Sequence, residues 1–454
     1  MLQRVRSLMA LSQPLESFFS PPEGVRGLKE LDKSLFHKKV TLPVVRVPAE
    51  KTSAFRKNFS KEMLKTPEIK TIQAVPASES EKLLLLSPSQ SLTETQEDWI
   101  VQNGGTLTAH ETSIEYRDYP IKSILKSILP LNEDPPLAYE IIGHIAHYNL
   151  KEHHLPYKNI IGEVLLSKQS GIKTVVNKTD RIDETFRTFH MELMAGEDNT
   201  VTTVSENGCR FKFDFAKVYW NSRLGTEHGR VINQLKPKDI ALDMFAGVGP
   251  FSIPAAKKGV TVFANDLNPH SYSALVDNSK RNSVGIKCYN LDGREFIDET
   301  REKVQGLLVS EPSARLHVIM NLPAIAYQFL NCFRGYYNSI VKEDNTDSHS
   351  STSQPNKLLA SPPLIHCYLF SKSAEPEKDV LQIVEDELGC GLSSFECHFV
   401  RKAAPNKAMM RLTFPYPESL LLTRGEKRSI QEVGGTENGD QVGSIAKRNC
   451  LADQ

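Results

Sequence analysis

The chain has 454 residues, 39% hydrophobic and 24% charged, the composition of a folded, somewhat polar protein of about three domains. No stretch approaches the roughly 18 consecutive apolar residues of a membrane span, and no Gly-X-Y period, heptad run or fixed repeat is present, which excludes membrane-spanning, fibrous and solenoid classes. Lys plus Arg and Asp plus Glu balance at 55 each, which excludes a histone-like polycation but not a local basic face; the seven Cys are scattered without a C-x-x-C pair and read as reduced, intracellular thiols.

In chain order, residues 1–36 are expected to be a flexible N-terminus. Arg4 and Arg6, with no acidic residue before Glu16, fit a mitochondrial presequence and an unstructured start about equally. Residues 37–110 read as a small basic αβ module followed by a loop. Between 37 and 70, nine Lys or Arg stand against three Glu, a net charge of +6. Val40, Leu42, Val44, Val45 and Val47 precede a helical run over 53–64, the module ends near Leu86, and the turn-rich stretch 87–110 is read as loop.

Residues 111–218 form a middle α+β domain. Ile121, Ile124, Leu125, Ile128 and Leu129 recur at helical spacing until Pro130 and Pro135-Pro136 stop the run. A helix over 151–168 and strands near 172–177, 186–194 and 210–216 follow. From 219 to 416 the rhythm changes. Strand-like runs at 240–244, 261–265, 287–290, 317–320 and 364–370 alternate with helical ones, which predicts a parallel, doubly wound, Rossmann-like α/β domain. The Ser/Pro-rich insertion 342–363 is read as a disordered surface loop, and 417–454 as a disordered tail. Lys427-Arg428 and Lys447-Arg448 in that tail fit nuclear import or ordinary solvation.

The strongest local signal is Ala241-Leu-Asp-Met-Phe-Ala-Gly-Val-Gly-Pro-Phe-Ser252. A buried strand ends in Asp243, Phe245 and the turn glycines Gly247 and Gly249 follow, and Pro250 is expected to open a helix. The next strand ends in Asp266, followed by Leu267, where a carboxylate can accept both ribose hydroxyls of an adenosine. A third ends in Asp292-Gly293, suited to an adenine edge. A dinucleotide needs G-x-G-x-x-G for its pyrophosphate, and Ser252 stands at the third position. The acidic Asp243 beside the turn would repel a pyrophosphate and suits the sulfonium and amino group of S-adenosylmethionine. The fourth strand runs into Asn321-Leu-Pro323. Asn321 can donate to and accept from a nucleobase edge, and Pro323 stiffens the turn.

Together, the segment Tyr219-Trp-Asn-Ser-Arg-Leu-Gly-Thr-Glu-His-Gly-Arg230 and the DMFAGVGPFSI, ANDLNP, LDG and MNLP motifs resemble the archaeal and eukaryotic tRNA (guanine-N1)-methyltransferase family, most closely its eukaryotic members. The resemblance runs from about Ser20 through Tyr416. It implies a class I methyltransferase domain, S-adenosylmethionine as donor, and methylation of N1 of guanosine at position 37 of tRNA, 3′ of the anticodon. Such methylation supports reading-frame maintenance and is the first step toward wybutosine. It implies Glu227 as general base, Arg187 as the arginine that holds the target guanine, Tyr219 near donor and target, and Asn321 with Pro323 receiving the flipped base. Donor contacts are implied for His228, Asp243, Asp266, Leu267, Asp292, Gly293 and Asn321. The N-terminal module is expected to contact the tRNA, no membrane is involved, and a monomer distributed among mitochondrial matrix, nucleus and cytoplasm is expected.

Taken singly, without the resemblance, Glu227 reads better as a capping-box residue of a helix starting near Thr226, and Arg187 as an ordinary surface ion pair. His144, His147, His153 and His154 invite a metal, but no Cys or paired carboxylate shares their spacing, so none is expected. Three other functions compete. One is transfer of the donor's aminocarboxypropyl group, as in the related wybutosine-pathway enzymes. The others are non-catalytic RNA binding on the same fold and, more remotely, NAD-dependent oxidation.

Overall fold

The computed structural model describes residues 19–66, 69–75, 78–182, 189–338 and 362–422. At the N-terminal end β1 (Lys38–Pro48), β2 (Ile72–Val75), β3 (Ser78–Leu85) and β4 (Thr106–Ile114) form an antiparallel sheet in the order β2–β3–β1–β4. β1 is apolar on both faces. Val40, Leu42 and Val44 enter one core and Val45 and Val47 the other, as strand alternation requires. The second core is closed by Phe55 and Phe59 of the Thr52–Asn58 helix and by Ile100 of the Glu94–Gln102 helix, with Trp99 edge-on to Phe55 at 4.9 Å.

The stretch 87–110 is therefore not a loop. Thr93 and Gln96 form a reciprocal capping box that starts the Glu94–Gln102 helix, and β4 pairs with β1 along its whole length. The hydroxyl-rich sequence of β4 carries little apolar signal; its order comes from backbone pairing with β1. The helix expected over 53–64 also ends early, at Asn58.

In the middle domain β5 (Glu140–Ile142), β6 (Ile145–Tyr148), β7 (Thr174–Ile182) and β8 (Phe189–Gly196) make a second sheet in chain order. The parallel β6–β7 pair is bridged by the Lys158–Lys168 helix. The helix expected over 151–168 begins at Lys158; the preceding Glu152–Tyr157 is a 3-10 segment containing Pro156, whose missing N–H suits a helix entry rather than its interior. Ile124, Leu125 and Ile128 of the Ile121–Ile128 helix pack with Ile160, Ile161 and Val164 and with Val40, Leu42 and Val44 of β1. The first two domains thus share one core. A hairpin of β9 (Val201–Glu206) and β10 (Cys209–Asp214) joins them to the C-terminal domain: the Lys212 and Arg210 N–H groups donate to Asn278 Oδ1 at 2.7 Å and Asn282 Oδ1 at 2.9 Å.

The C-terminal domain is a seven-stranded sheet of β11 (Ile240–Asp243), β12 (Thr261–Asn265), β13 (Lys287–Tyr289), β14 (Leu316–Met320), β15 (Leu364–Ser371), β16 (Glu396–Ala404) and β17 (Lys407–Pro415). Their order is β13–β12–β11–β14–β15–β17–β16, and the first five are parallel. The chain reverses direction across the sheet between β11 and β14, giving the Rossmann-like architecture expected. The sheet is not wholly parallel, however: β17 inserts antiparallel between β15 and β16. Alternate residues feed two cores. Leu242, Val318, Met320 and Cys367 face one, with the Gly293–Ser310 and Pro376–Leu388 helices; Ala241, Ala264, Ile319 and Tyr368 face the other, with Val231 and Leu275.

Among the described residues no helix is long and apolar enough to cross a membrane. The presequence reading, the two Lys-Arg pairs of the tail and all but the last two residues of the 342–363 insertion lie outside the described residues. The expected flexible start and disordered tail do not hold where they are described: Phe19, Val25 and Phe36 are buried in the N-terminal core, and Glu418–Leu421 is a short helix that buries Leu421.

Candidate active site

The register of the parallel strands brings the sequence-predicted donor residues to one edge. Asp243 pairs with Ala264 and Ile319, Asn265 with Tyr289, and Met320 with Cys367. The segments that leave these strands, carrying Asp266, Asp292 and Asn321, therefore gather at the carboxyl ends, on either side of the point where strand order reverses.

The two turn glycines serve different ends. Both have positive φ, 55° at Gly247 and 99° at Gly249. A Cβ on Gly247 would meet nothing within 4 Å, so the backbone there stays open to a ligand. A Cβ on Gly249 would lie 2.8 Å from Ile253 and from Leu275, so this glycine permits close packing of two helices. The helix after the turn starts at Ser252 rather than Pro250.

Asp243 is fully buried. The Ser252 hydroxyl donates to its Oδ2 at 2.6 Å, while Oδ1 has no partner among the described residues. Burial, aided by nearby Asp266 and opposed by the Ser252 hydrogen bond, pushes its carboxyl up to about 7. Asp266 holds the turn in place: Gly247 N–H donates to Oδ2 at 2.8 Å and Asn268 N–H to Oδ1 at 2.9 Å. Burial outweighs these hydrogen bonds and raises Asp266 to about 6. A buried carboxylate oxygen without a partner is costly, and a cationic or hydroxyl-bearing ligand removes the cost. The donor set thus fits S-adenosylmethionine.

Around this centre, Asp292 caps the Gly293–Ser310 helix through Arg294 N–H at 2.8 Å. A Cβ on Gly293 would press on Phe329 at 2.9 Å and Phe245 at 3.3 Å, two rings that meet edge-on at 5.1 Å. Leu267 is 52% exposed, an apolar side chain presented at the surface. His228 Nδ1 lies 2.6 Å from Glu206 Oε1, with its ring edge-on to Phe251. Asn265 is a contributor whose role the strand pattern did not show: it bonds the carbonyl of Met244 at 3.3 Å and both backbone groups of Leu291, tying three strand ends together.

Glu227 sits in the first turn of the Gly225–Gln234 helix, 3% exposed, and its carboxylate does not cap that helix. Tyr368 O–H donates to Oε1 at 3.0 Å and Arg411 Nη1 at 2.9 Å. Arg230 donates to Oε2, and His398 Nε2 lies 3.6 Å from that same oxygen. Arg411 is wholly buried, with Nη2 on Glu396 at 3.0 Å. Tyr368 immediately follows Cys367, the partner of Met320 across β14–β15, and Asn321 immediately follows Met320. The sheet therefore presents Glu227 and the Asn321-Leu-Pro323 turn at the same strand ends. Phe370 N–H donates to the Pro323 carbonyl at 3.1 Å and fixes that turn to β15. Tyr219 is 51% exposed and its hydroxyl accepts from Asn221 at 3.2 Å. Arg187 lies outside the described residues.

Sequence reasoning missed Tyr368, His398 and Arg411. The one available signal was a charge inside an apolar strand, Met409-Met410-Arg411-Leu412, which demands a buried partner. The four histidines of the middle domain do not form one cluster. His144 Nε2 meets the Asn199 carbonyl at 3.1 Å and His147 pairs with Glu140 at 3.3 Å. His153 and His154 stand together, and Glu133 brings its carboxylate to within 4.8 Å of them, a neighbour their spacing did not reveal.

Residues 202–364 match the TRM5/TYW2 methyltransferase domain, and residues 121–200 match the TYW2 N-terminal domain. The chain is 41% identical over 428 residues to the tRNA (guanine(37)-N(1))-methyltransferase of Mus musculus, covering 91% of this chain and 82% of that protein. It is 39% identical over 439 residues to the protein of that name from Schizosaccharomyces pombe, covering 87% of this chain and 96% of the other. The crystal structure of Trm5b from Pyrococcus abyssi matches with a TM-score of 0.57 at 26% identity, over 82% of this chain and 99% of that one. Identity of this order along nearly the whole length is decisive: the chain belongs to the tRNA (guanine(37)-N1)-methyltransferase family.

Proposed function

We propose that this protein transfers the methyl group of S-adenosylmethionine to N1 of guanosine 37 in tRNA. The observation that carries this reading is the buried carboxylate of Glu227, held by Tyr368 and Arg411 at the strand ends where the Asn321-Leu-Pro323 turn begins. Guanine N1 carries a proton at neutral pH and is a poor nucleophile until that proton leaves. Glu227 accepts it as the N1–carbon bond forms, so the base ends neutral and methylated. Asn321 holds the edge of the extruded guanine, and the guanidinium of Arg187 stabilises the charge that develops toward O6. When bound, S-adenosylmethionine supplies an electrophilic methyl group on a sulfonium centre. Asp243 supplies the negative charge that such a ligand needs, Asp266 the acceptor for its ribose hydroxyls, and Gly247 the open backbone against which it lies.

The test is transfer to unmodified tRNA transcripts carrying guanosine or adenosine at position 37. Product one methylene heavier on guanosine, with none on adenosine, is expected; equal transfer to both removes the N1 assignment. A second reading, transfer of the donor's aminocarboxypropyl group, draws on the match of residues 121–200 to the TYW2 N-terminal domain. The same product mass separates the two.

A further inference from the structure

Glu227 has a difficulty that its role as base creates. Its side chain is 4% exposed, so a proton taken from guanine has no direct route to water. Among the described residues its carboxylate has four neighbours, and three of them are unable to take that proton onward. Arg230 and Arg411 are permanent cations. Tyr368 is a buried phenol whose burial and contact with Glu227 hold it far above its ordinary value, so it stays a donor. The fourth neighbour is His398, on β16, with Nε2 3.6 Å from Oε2 and its side chain 31% exposed. Arg230 also reaches solvent, but as a permanent cation it cannot carry the proton; among the described neighbours His398 alone joins the buried carboxylate to solvent through a group that can accept and release one.

We propose that His398 is a positioning and proton-relay residue for Glu227: Oε2 receives the N1 proton of guanine and passes it to His398 Nε2, which delivers it to water. The inference rests on Glu227 being the base. The choice of oxygen follows from the contacts: Oε1 already accepts from two donors, Tyr368 and Arg411, whereas Oε2 accepts only from Arg230 and is the oxygen that faces His398. The electrons balance. The N1–H bonding pair becomes the lone pair that forms the N1–carbon bond, the pair of the breaking carbon–sulfur bond stays on sulfur, and the proton moves from Oε2 to a neutral imidazole. The separation of 3.6 Å is slightly too long for a hydrogen bond, as is common for catalytic contacts without substrate, and it shortens once the carboxyl carries a proton to donate. The groups facing His398 are Glu227 and Arg230 from the Gly225–Gln234 helix, Arg411 from β17 and Glu396 from its own strand. Burial and Arg230 outweigh the pull of Glu227 and keep the imidazole below its ordinary value, neutral and able to accept.

The experiment compares wild type, His398→Ala, His398→Gln and Glu227→Gln in single-turnover methyl transfer across pH, with donor and tRNA affinities measured alongside. Both His398 variants should slow transfer by roughly tenfold or more. Their donor and tRNA affinities should be unchanged, and the part of the pH profile due to imidazole should be lost. Added imidazole should restore His398→Ala increasingly as its free base forms, and should do nothing for Glu227→Gln. If Glu227→Gln is slow while both His398 variants keep the wild-type rate and profile, the relay is overturned and the base assignment stands. If Glu227→Gln is itself near wild type, the base assignment fails and takes the relay with it. Slow His398 variants that imidazole does not rescue, with weakened donor or tRNA binding, would mark His398 as merely structural and also overturn the relay.

Discussion

At the scale of single residues, Glu227 and Asp243 are two buried carboxyls with opposite surroundings. Glu227 is over-supplied with cations, whereas Asp243 has the Ser252 hydroxyl on one oxygen and, among the described residues, no hydrogen-bond partner on the other. Glu227→Gln should lower single-turnover methyl transfer roughly 10²–10⁴-fold while leaving donor and tRNA affinity nearly unchanged. It should also destabilise the fold. Arg411 then keeps only the largely exposed Glu396 as a charged partner, and breaking a buried pair costs about 3–5 kcal/mol. A thermal melt of the variant at its wild-type midpoint would refute that second part. Asp243 and Asp266 lead to a pH prediction. Their folded values are raised, to about 7 and about 6, so ligand-free stability from these groups is complete below about pH 4 and is lost as pH rises through those values. A cationic donor favours the ionised form. Donor binding should therefore release protons and tighten with pH, by up to about tenfold per unit for each proton. Calorimetry in buffers of different ionisation enthalpy measures the release, and Asp243→Asn should reduce it; affinity independent of pH across this window would show that the donor does not meet these carboxyls.

At the scale of elements, the Gly-rich turn joins a strand, an open stretch of backbone and a helix contact within a few residues. Gly249→Ala demands an unfavourable φ and drives a Cβ into Ile253 and Leu275, so a loss of roughly 1–3 kcal/mol in unfolding free energy is expected. Denaturant titration measures it. Gly247→Ala meets no steric obstacle and should cost only the positive φ, with its larger effect on donor affinity. Equal stability losses at the two positions would contradict the division of labour drawn between them. The antiparallel β16–β17 pair has a comparable double use. It completes the sheet next to β15, and it carries Arg411 and His398 to Glu227. A wholly parallel sheet ending at β15 would leave that carboxylate buried with Tyr368 and Arg230 alone.

At the scale of the whole molecule, three domains are joined by two shared cores, one between the N-terminal and middle domains and one between the middle and C-terminal domains. Such packing lets an N-terminal surface help position a substrate for a C-terminal site. The basic stretch is only partly available for that: Lys39 pairs with Glu111, Arg46 with Glu81, and Lys51 caps the Asn103 carbonyl. Arg56 and Lys57 stand exposed on the Thr52–Asn58 helix, with Lys61 exposed just beyond it. Replacing these three with Gln should raise the tRNA dissociation constant and flatten its salt dependence by up to about three units of slope. A wild-type salt slope would place the tRNA elsewhere. The same substitutions at Lys39 and Arg46 should have less effect, because their charge is already neutralised within the protein.

What the sequence determined unaided was the placement of the Gly-rich turn and the acidic strand tips that we propose hold the donor. Asp243, Gly247, Gly249, Asp266, Asp292 and Asn321 each sit within a few residues of a strand end. Strand periodicity, glycine dihedral freedom and acidic strand tips are local properties that survive in the linear order. The Glu94–Gln102 helix carried a local signal, the Thr93-x-x-Gln96 capping box, that the turn-rich composition outweighed. The β4 strand was illegible, because a hydroxyl-rich strand becomes ordered only through a partner, and here that partner lies more than fifty residues earlier. The surroundings of Glu227 were illegible for a stronger form of the same reason. Its carboxylate answers to Tyr368, 141 residues away, and to Arg411, 184 residues away. Only the crossing of β15, β17 and the Gly225–Gln234 helix brings them within hydrogen-bond reach. The charge state of a buried group is set by everything packed around it, whatever the separation along the chain, and that sum exists only once the sheet has closed.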